Sequence, residues 1–282
     1  MGWSVVGMIV FWSAVIFYLF IRFSQKQNTP DQLINLATFL IPCLLIGAIA
    51  LFRNLDLSIK SKELTLIFIA AFGLSYLGSV LSLLSQKKAP NPGYSLLVSK
   101  CYVVYTTLIS VWLFDASLNY RRLGGIFLIL FFSAWILIEK SQQKTSGWLF
   151  PALGAFAAWG NLALFNKYML NRGIPALILL FYLLLFVSLF ILIEIILNKN
   201  NIFLKQKQLW VLMAIGLCSF FFNYYYLVGF DVSPNIGYMN AINTSATAAV
   251  AFFSFLIFKD ELTTQKIIGI IGTSAGLFML LL

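Results

Sequence analysis

Apolar residues fall along the chain in ten long runs, each ended by a charged residue or by a break containing Pro, Gly or Asn. The runs are Gly2–Phe23, Leu33–Phe52, Leu64–Gln86, Pro92–Phe114, Tyr120–Ile138, Gly147–Leu170, Ile174–Leu197, Lys207–Gly229, Ser233–Phe258 and Gln265–Leu282. About 20 predominantly apolar residues cross the hydrocarbon core of a bilayer as a helix. None of the runs alternates with period two, so spanning strands are excluded. The pattern predicts an all-α membrane protein of ten transmembrane helices joined by short loops. The first run lacks a basic leader and nine more follow it, so it reads as a span and not as a cleaved signal.

The pattern also repeats. Pro90-Asn91-Pro92-Gly93-Tyr94 returns 144 residues later as Pro234-Asn235-Ile236-Gly237-Tyr238. The same offset aligns Phe114 with Phe258, Leu118 with Leu262, Gly125 with Gly269 and Ile126 with Ile270; nearer the start, Trp12-Ser13 pairs with Trp159-Gly160 at an offset of 147. Spans one to five thus recur as spans six to ten, which divides the chain into residues 1–144 and 145–282. Five is odd, so the second copy enters the bilayer from the opposite side. Two inverted five-helix repeats are a secondary-transporter architecture, with the substrate near the midplane between the copies. The alternative is a duplicated bundle that serves as an interaction scaffold and carries no cargo.

Composition narrows the chemistry. Of 282 residues, 61% are apolar, 17% aromatic and only 10% charged, against roughly 45–50% apolar and 25% charged in soluble domains. Soluble enzymes and disordered proteins are both excluded. There is no histidine, and Cys43, Cys101 and Cys218 each lie inside an apolar run, so no metal spacing or disulfide framework is present. The net charge of +10 comes from Lys and Arg scattered singly between the runs. Such cations suit loops and interfacial anchors, making the lipid bilayer the partner and not nucleic acid. Gly272-Thr273-Ser274-Ala275-Gly276 spells a hydrolase nucleophile motif, but it lies in a span of a chain without histidine and reads as helix packing. Asn243-Thr244-Ser245 is a glycosylation sequon at membrane depth and is discounted. No cofactor, P-loop or enzyme activity is predicted.

Within this frame the sixth span reads WGNLALFNKY, and residues 233–269 read SPNIGYMNAINTSATAAVAFFSFLIFKDELTTQKIIG. In these residues, and in their order, the chain resembles the EamA branch of the drug/metabolite transporter superfamily over essentially its whole length. Two departures are visible: Asp115-Ala116-Ser117-Leu118 stands where the family keeps a Glu before the Leu, and no Pro interrupts spans four and nine near Val104 and Ala248. The resemblance implies alternating access and export of amino acids, metabolites or drugs from a cell, with a bacterial inner membrane as the expected location.

Polar groups retained in hydrocarbon mark candidate ligand contacts. Lys100 lies roughly 13 Å into the fourth span. It reads either as an anchor for a carboxylate or phosphate, or as a lysine that snorkels or pairs with Glu194. Its repeat partner is Thr244, and that of Ser99 is Asn243. Asn240, Asn243, Thr244 and Thr247 form one stripe, and Ser95, Ser99, Tyr102 and Thr106 another. The Asn223–Tyr226 run, with Trp12, Tyr76, Trp159, Asn161 and Asn166, offers aromatic and amide contacts. The predicted substrate site is Lys100, Ser99, Tyr102, Asn240, Asn243, Thr244, Trp12, Asn161, Asn223 and Tyr226, holding a small amphipathic or anionic metabolite, amino acid-like or similar. Every acidic residue falls in a loop or near a span end, which favours exchange or facilitated diffusion over proton coupling.

Overall fold

A computed structural model describes residues 2–89, 92–137, 147–198 and 204–282. Ten helices are long and apolar enough to cross a membrane: α1 (Trp3–Lys26), α2 (Asp31–Arg53), α3 (Ser61–Lys88), α4 (Tyr94–Phe114), α5 (Tyr120–Leu137), α6 (Leu149–Asn171), α7 (Ala176–Leu197), α8 (Gln206–Val232), α9 (Ile236–Phe258) and α10 (Thr264–Leu281). The fold is all-α among the described residues, as the hydrophobic pattern predicts. The expected division at 144/145 and the residues Pro90 and Asn91 lie outside the described residues. Several helices run past the apolar stretches into Asp31, Arg53, Ser61 and Lys88, because end residues reach water while their backbone keeps the helical hydrogen bonds.

The turns carry matching signals 144 to 145 residues apart. Pro30 and Pro175 cap the starts of α2 and α7, and the preceding turns hold Asn28 at φ 55° and Gly173 at φ 82°. Both α4 and α9 end on a left-handed residue, Asp115 at φ 51° and Lys259 at φ 55°. In each, the next N–H folds back to a serine carbonyl, Ala116 to Ser110 at 3.2 Å and Asp260 to Ser254 at 3.5 Å. The left-handed cap satisfies carbonyls that a helix end leaves open.

Two helices are interrupted where the sequence predicts continuity. A π-helical stretch, Ala71–Tyr76, lies inside α3. In α4 the Cys101 N–H is shared between the carbonyls of Leu97 (3.2 Å) and Val98 (3.3 Å), while Val104 N–H reaches Cys101 O at 3.1 Å. The β-branched residues that follow, Val103, Val104, Thr106 and Thr107, favour a regular helix less than unbranched ones do.

Packing is pairwise. α1 lies on α8 and α9, α6 on α3 and α4, α2 on α7 and α8, α7 on α3, α4 on α9 and α5 on α10. Replacing each helix by the one five places along maps these pairs onto one another, whereas the further contact of α5 with α9 has no such counterpart. The tightest crossing is α5 with α10. An added Cβ on Gly125 would sit 2.8 Å from the Gly276 carbonyl oxygen and 2.9 Å from Leu280 N, while one on Gly269 would meet Ile136 and the Phe132 carbonyl. Gly272 faces the Phe132 ring and Gly276 the Gly125 backbone. That accounts for the hydrolase-like motif as close helix packing.

Candidate functional site

A cavity of about 390 Å³ lies among α1–α4 and α6–α9, within the range typical of small-molecule sites. Its lining is built from helix faces. In α3, Ser75, Ser79 and Ser82 share one face through i, i+4, i+7 spacing. Ser79 Oγ donates to the Ser75 carbonyl at 3.0 Å, just past the π-helical stretch. Such a stretch carries an extra residue per turn and rotates the face that follows. Tyr18 enters from α1, Asn35 and Thr38 from α2, and Ser99, Lys100 and Tyr102 from α4 beside its break. The apolar members on this side are Phe17, Ile21, Phe39 and Leu96.

Opposite them, α6 supplies Trp159, Leu162, Ala163 and Asn166, and α7 supplies Leu180, Leu183 and Leu184. From α8 come Phe222, Asn223, Tyr226, Leu227 and Phe230, and from α9 comes Asn243. Positions 145 apart face the same space with different chemistry: Tyr18 and Ala163, Asn35 and Leu180, Thr38 and Leu183.

Hydrogen bonds fix the polar rim. Tyr18 Oη donates to Asn243 Oδ1 at 3.3 Å. Tyr102 and Tyr226 hydroxyls lie 3.5 Å apart, Tyr226 Oη donates to Asn240 Oδ1, and Asn240 Nδ2 donates to Thr106 Oγ1 at 2.7 Å. Lys100 differs from these. The ion pairs among the described residues are Arg22 and Lys26 with Asp260, and Arg172 with Glu63. Glu194 instead accepts from Tyr76 Oη at 3.0 Å, so the anticipated Lys100–Glu194 pair does not form. Among the described residues no Asp or Glu lines the cavity.

Six of the ten residues anticipated from sequence line this space: Ser99, Lys100, Tyr102, Asn223, Tyr226 and Asn243. Asn240 is fully buried behind it and braces Tyr226. Thr244 is buried outside the lining, with its hydroxyl unpartnered. Asn161 faces outward, donating to Ala157 O at 2.8 Å and accepting from Tyr105 Oη at 3.0 Å; two residues past Trp159, it lies about 200° round the helix. Trp12 is 46% exposed and packs on Phe11 and Phe253. Its pairing with Trp159 is a misalignment, since Phe17, Tyr18 and Ile21 line the cavity in the same spacing as Leu162, Ala163 and Asn166. The sequence reading missed Tyr18, Asn35, Thr38, Ser75, Ser79 and Ser82 as contacts, although the serine stripe in the third span was a readable signal.

The two ends of the bundle are clamped differently. Where α1 ends, Lys26 Nζ donates to Asp260 at 3.1 Å and Arg22 donates to the other oxygen. Partial burial opposes ionisation of Asp260, but the hydrogen bonds from Lys26 and Arg22 hold its carboxyl below the usual carboxylate range. Where α6 ends, Arg172 donates to Glu63 Oε1 at 2.9 Å. The corresponding contact at the first end is neutral, Gln208 Nε2 to the Gln27 carbonyl at 3.0 Å.

One solved crystal structure, 14% identical, superposes with a TM-score of 0.80 and covers 97% of this chain and 96% of that one, establishing the fold. No curated protein matches the chain. Residues 146–282 match the EamA-like transporter family, part of the drug/metabolite transporter superfamily. The second half of the chain is similar to that family. With this match and ten apolar helices, the chain is a multi-pass membrane protein of the transporter class. The family match covers α6–α10, so it includes the apolar side of the cavity, Asn240 and Asn243 but not Lys100.

Proposed function

We propose that this protein is a secondary carrier that moves a small amphipathic or anionic metabolite by alternating access, as an exporter or exchanger, through a site between two inverted five-helix repeats. The observation that carries this reading is the cavity itself. It is lined at matching positions by both sets of helices and holds a cation with no ion-pair partner among the described residues, where a scaffold would be packed solid. The helix pairs that survive a five-place exchange, and the turn residues recurring 144 to 145 positions apart, support the repeat. Rocking one copy against the other about such a site exchanges its access between the membrane faces. Among the described residues no carboxylate lines the cavity, which supports exchange or facilitated diffusion over a proton relay there.

Thiol accessibility tests the mechanism without knowledge of the cargo. In a background with Cys43→Ala, Cys101→Ala and Cys218→Ala, Ser79→Cys or Asn223→Cys is introduced into sealed vesicles. Labelling of each by a membrane-impermeant reagent applied to either face is the expected result. Labelling from neither face would support the scaffold reading, and labelling from only one would argue for a fixed binding pocket.

A further inference from the structure

We infer that the cavity selects an organic anion with an apolar or aromatic body and no cation next to its acid group, and so rejects zwitterionic amino acids of the same shape. The inference rests on the carrier reading for its biological setting, but its chemistry comes from the lining alone. Lys100 projects from the break in α4 with Ser99 and Tyr102 beside it, and no described carboxylate pairs with it. A cation in a low-dielectric hollow attracts an anion strongly because water screens it poorly. The acid group of a ligand therefore belongs at Lys100, whose ammonium supplies charge-assisted hydrogen bonds to it.

The apolar part of the lining sets the rest of the molecule. Leu180, Leu183 and Leu184 from α7, with Phe230 from α8, present an aliphatic and aromatic surface to the same cavity. An apolar ligand body is desolvated against that surface. An α-amino acid places its ammonium within a few ångströms of its carboxylate, and hence close to Lys100. Like charges at that separation repel, and among the described residues the lining contains no Asp or Glu to offset the second cation. The amide oxygens of Asn166 and Asn243 are neutral acceptors and do not replace a countercharge.

Three probes share one ring and chain length and differ in charge: 3-phenylpropanoate, L-phenylalanine and 2-phenylethylamine. Equilibrium binding to the purified full-length protein is measured by titration calorimetry in detergent. The expected order is 3-phenylpropanoate at least tenfold tighter than L-phenylalanine, with 2-phenylethylamine weakest. Lys100→Met is expected to weaken the anion at least tenfold and Lys100→Arg to retain most of the affinity, each unfolding at a temperature close to that of the parent protein. Equal or tighter binding of L-phenylalanine, binding of the anion unaffected by Lys100→Met, or binding of none of the probes would overturn the inference. Zwitterion preference combined with thiol labelling from both faces would leave the carrier standing and remove only this selectivity. Anion selectivity with labelling from neither face would do the reverse.

Discussion

Helices α1–α4 and α6–α9 line one cavity, and several matched positions differ in chemistry. Where α2 offers Asn35 and Thr38, α7 offers Leu180 and Leu183; where α3 offers serines, α8 offers Phe222, Leu227 and Phe230 among its polar groups. The cation Lys100 has Thr244 as its counterpart, and that residue is buried away from the space. The matched positions make up a shared frame, whereas the side chains that differ define what the frame can hold. A symmetric scaffold with an asymmetric lining gives a ligand an acid end and an apolar end, and so a fixed orientation.

The frame itself is tested most severely at the α5–α10 crossing, where the two sets of helices meet at Gly125 and Gly269. At Gly125 an added methyl would press on the Gly276 carbonyl and the Leu280 nitrogen, backbone atoms that cannot rotate away. At Gly269 the methyl would overlap Ile136 Cγ1, which a β-branched side chain in a helix can hardly move, with the Phe132 carbonyl oxygen 3.1 Å away. Overpacking costs about 1–3 kcal/mol and more where backbone must shift. Gly125→Ala and Gly269→Ala are each expected to lose about 3 kcal/mol, read as thermal unfolding in detergent. A loss well below about 1 kcal/mol at either position would mean that the crossing is softer than its geometry implies.

Next in size is the hydroxyl chain that braces the polar rim. Asn240→Leu removes the acceptor of the Tyr226 hydroxyl, whereas Thr106 keeps its own bond to the Val103 carbonyl at 3.1 Å. Leaving buried polar groups unpaired costs about 1–3 kcal/mol. Reduced stability together with weaker 3-phenylpropanoate binding is expected, because Tyr226 is no longer held. Unchanged binding with reduced stability would confine Asn240 to a purely structural part.

The contrast between the walls can be narrowed directly by Leu183→Thr, which copies Thr38 onto α7. Each buried methylene is worth about 0.8 kcal/mol, so affinity for an apolar-bodied acid is expected to fall about threefold to tenfold. A small hydrophilic acid should be affected less. If both acids weaken equally, the substitution has perturbed the site as a whole and the wall has no separate role.

Much of this frame is readable from the chain. Ten apolar runs specify ten helices, because hydrocarbon leaves a backbone no other way to satisfy its hydrogen bonds. The alignment of Gly125 with Gly269 anticipates the crossing. Rotation about a helix axis is less legible: Asn161 and Asn166 share a span, yet only Asn166 faces the cavity. Trp12 and Trp159 look equivalent but point to different environments, since a two-residue slip turns a helix through about 200°. The break at Cys101 and the π-helical stretch in α3 leave no proline or glycine signature at their own positions, apart from Gly73. The face that α3 presents was therefore missed along with its serines.

The weakest contrast lies at the ends of the bundle, where Asp260 carries a two-cation clamp and its counterpart Ala116 carries none. The side chains of Arg22 and Lys26 are 43% and 45% exposed, so water and salt screen the pair and about 1 kcal/mol is its ceiling. Because the folded Asp260 carboxyl titrates below its unfolded value of about 3.9, its contribution is complete above that pH. It is lost only as the pH falls through the folded value. The unfolding temperature of Asp260→Asn is therefore expected to lie slightly below that of the parent protein at pH 7, and the two should converge below about pH 4. Lys26 would still sit 4.9 Å over the Phe258 ring after the substitution, keeping part of the contact between α1 and the end of α9. A gap that persists unchanged into acid would assign the effect of Asp260 to packing and not to charge.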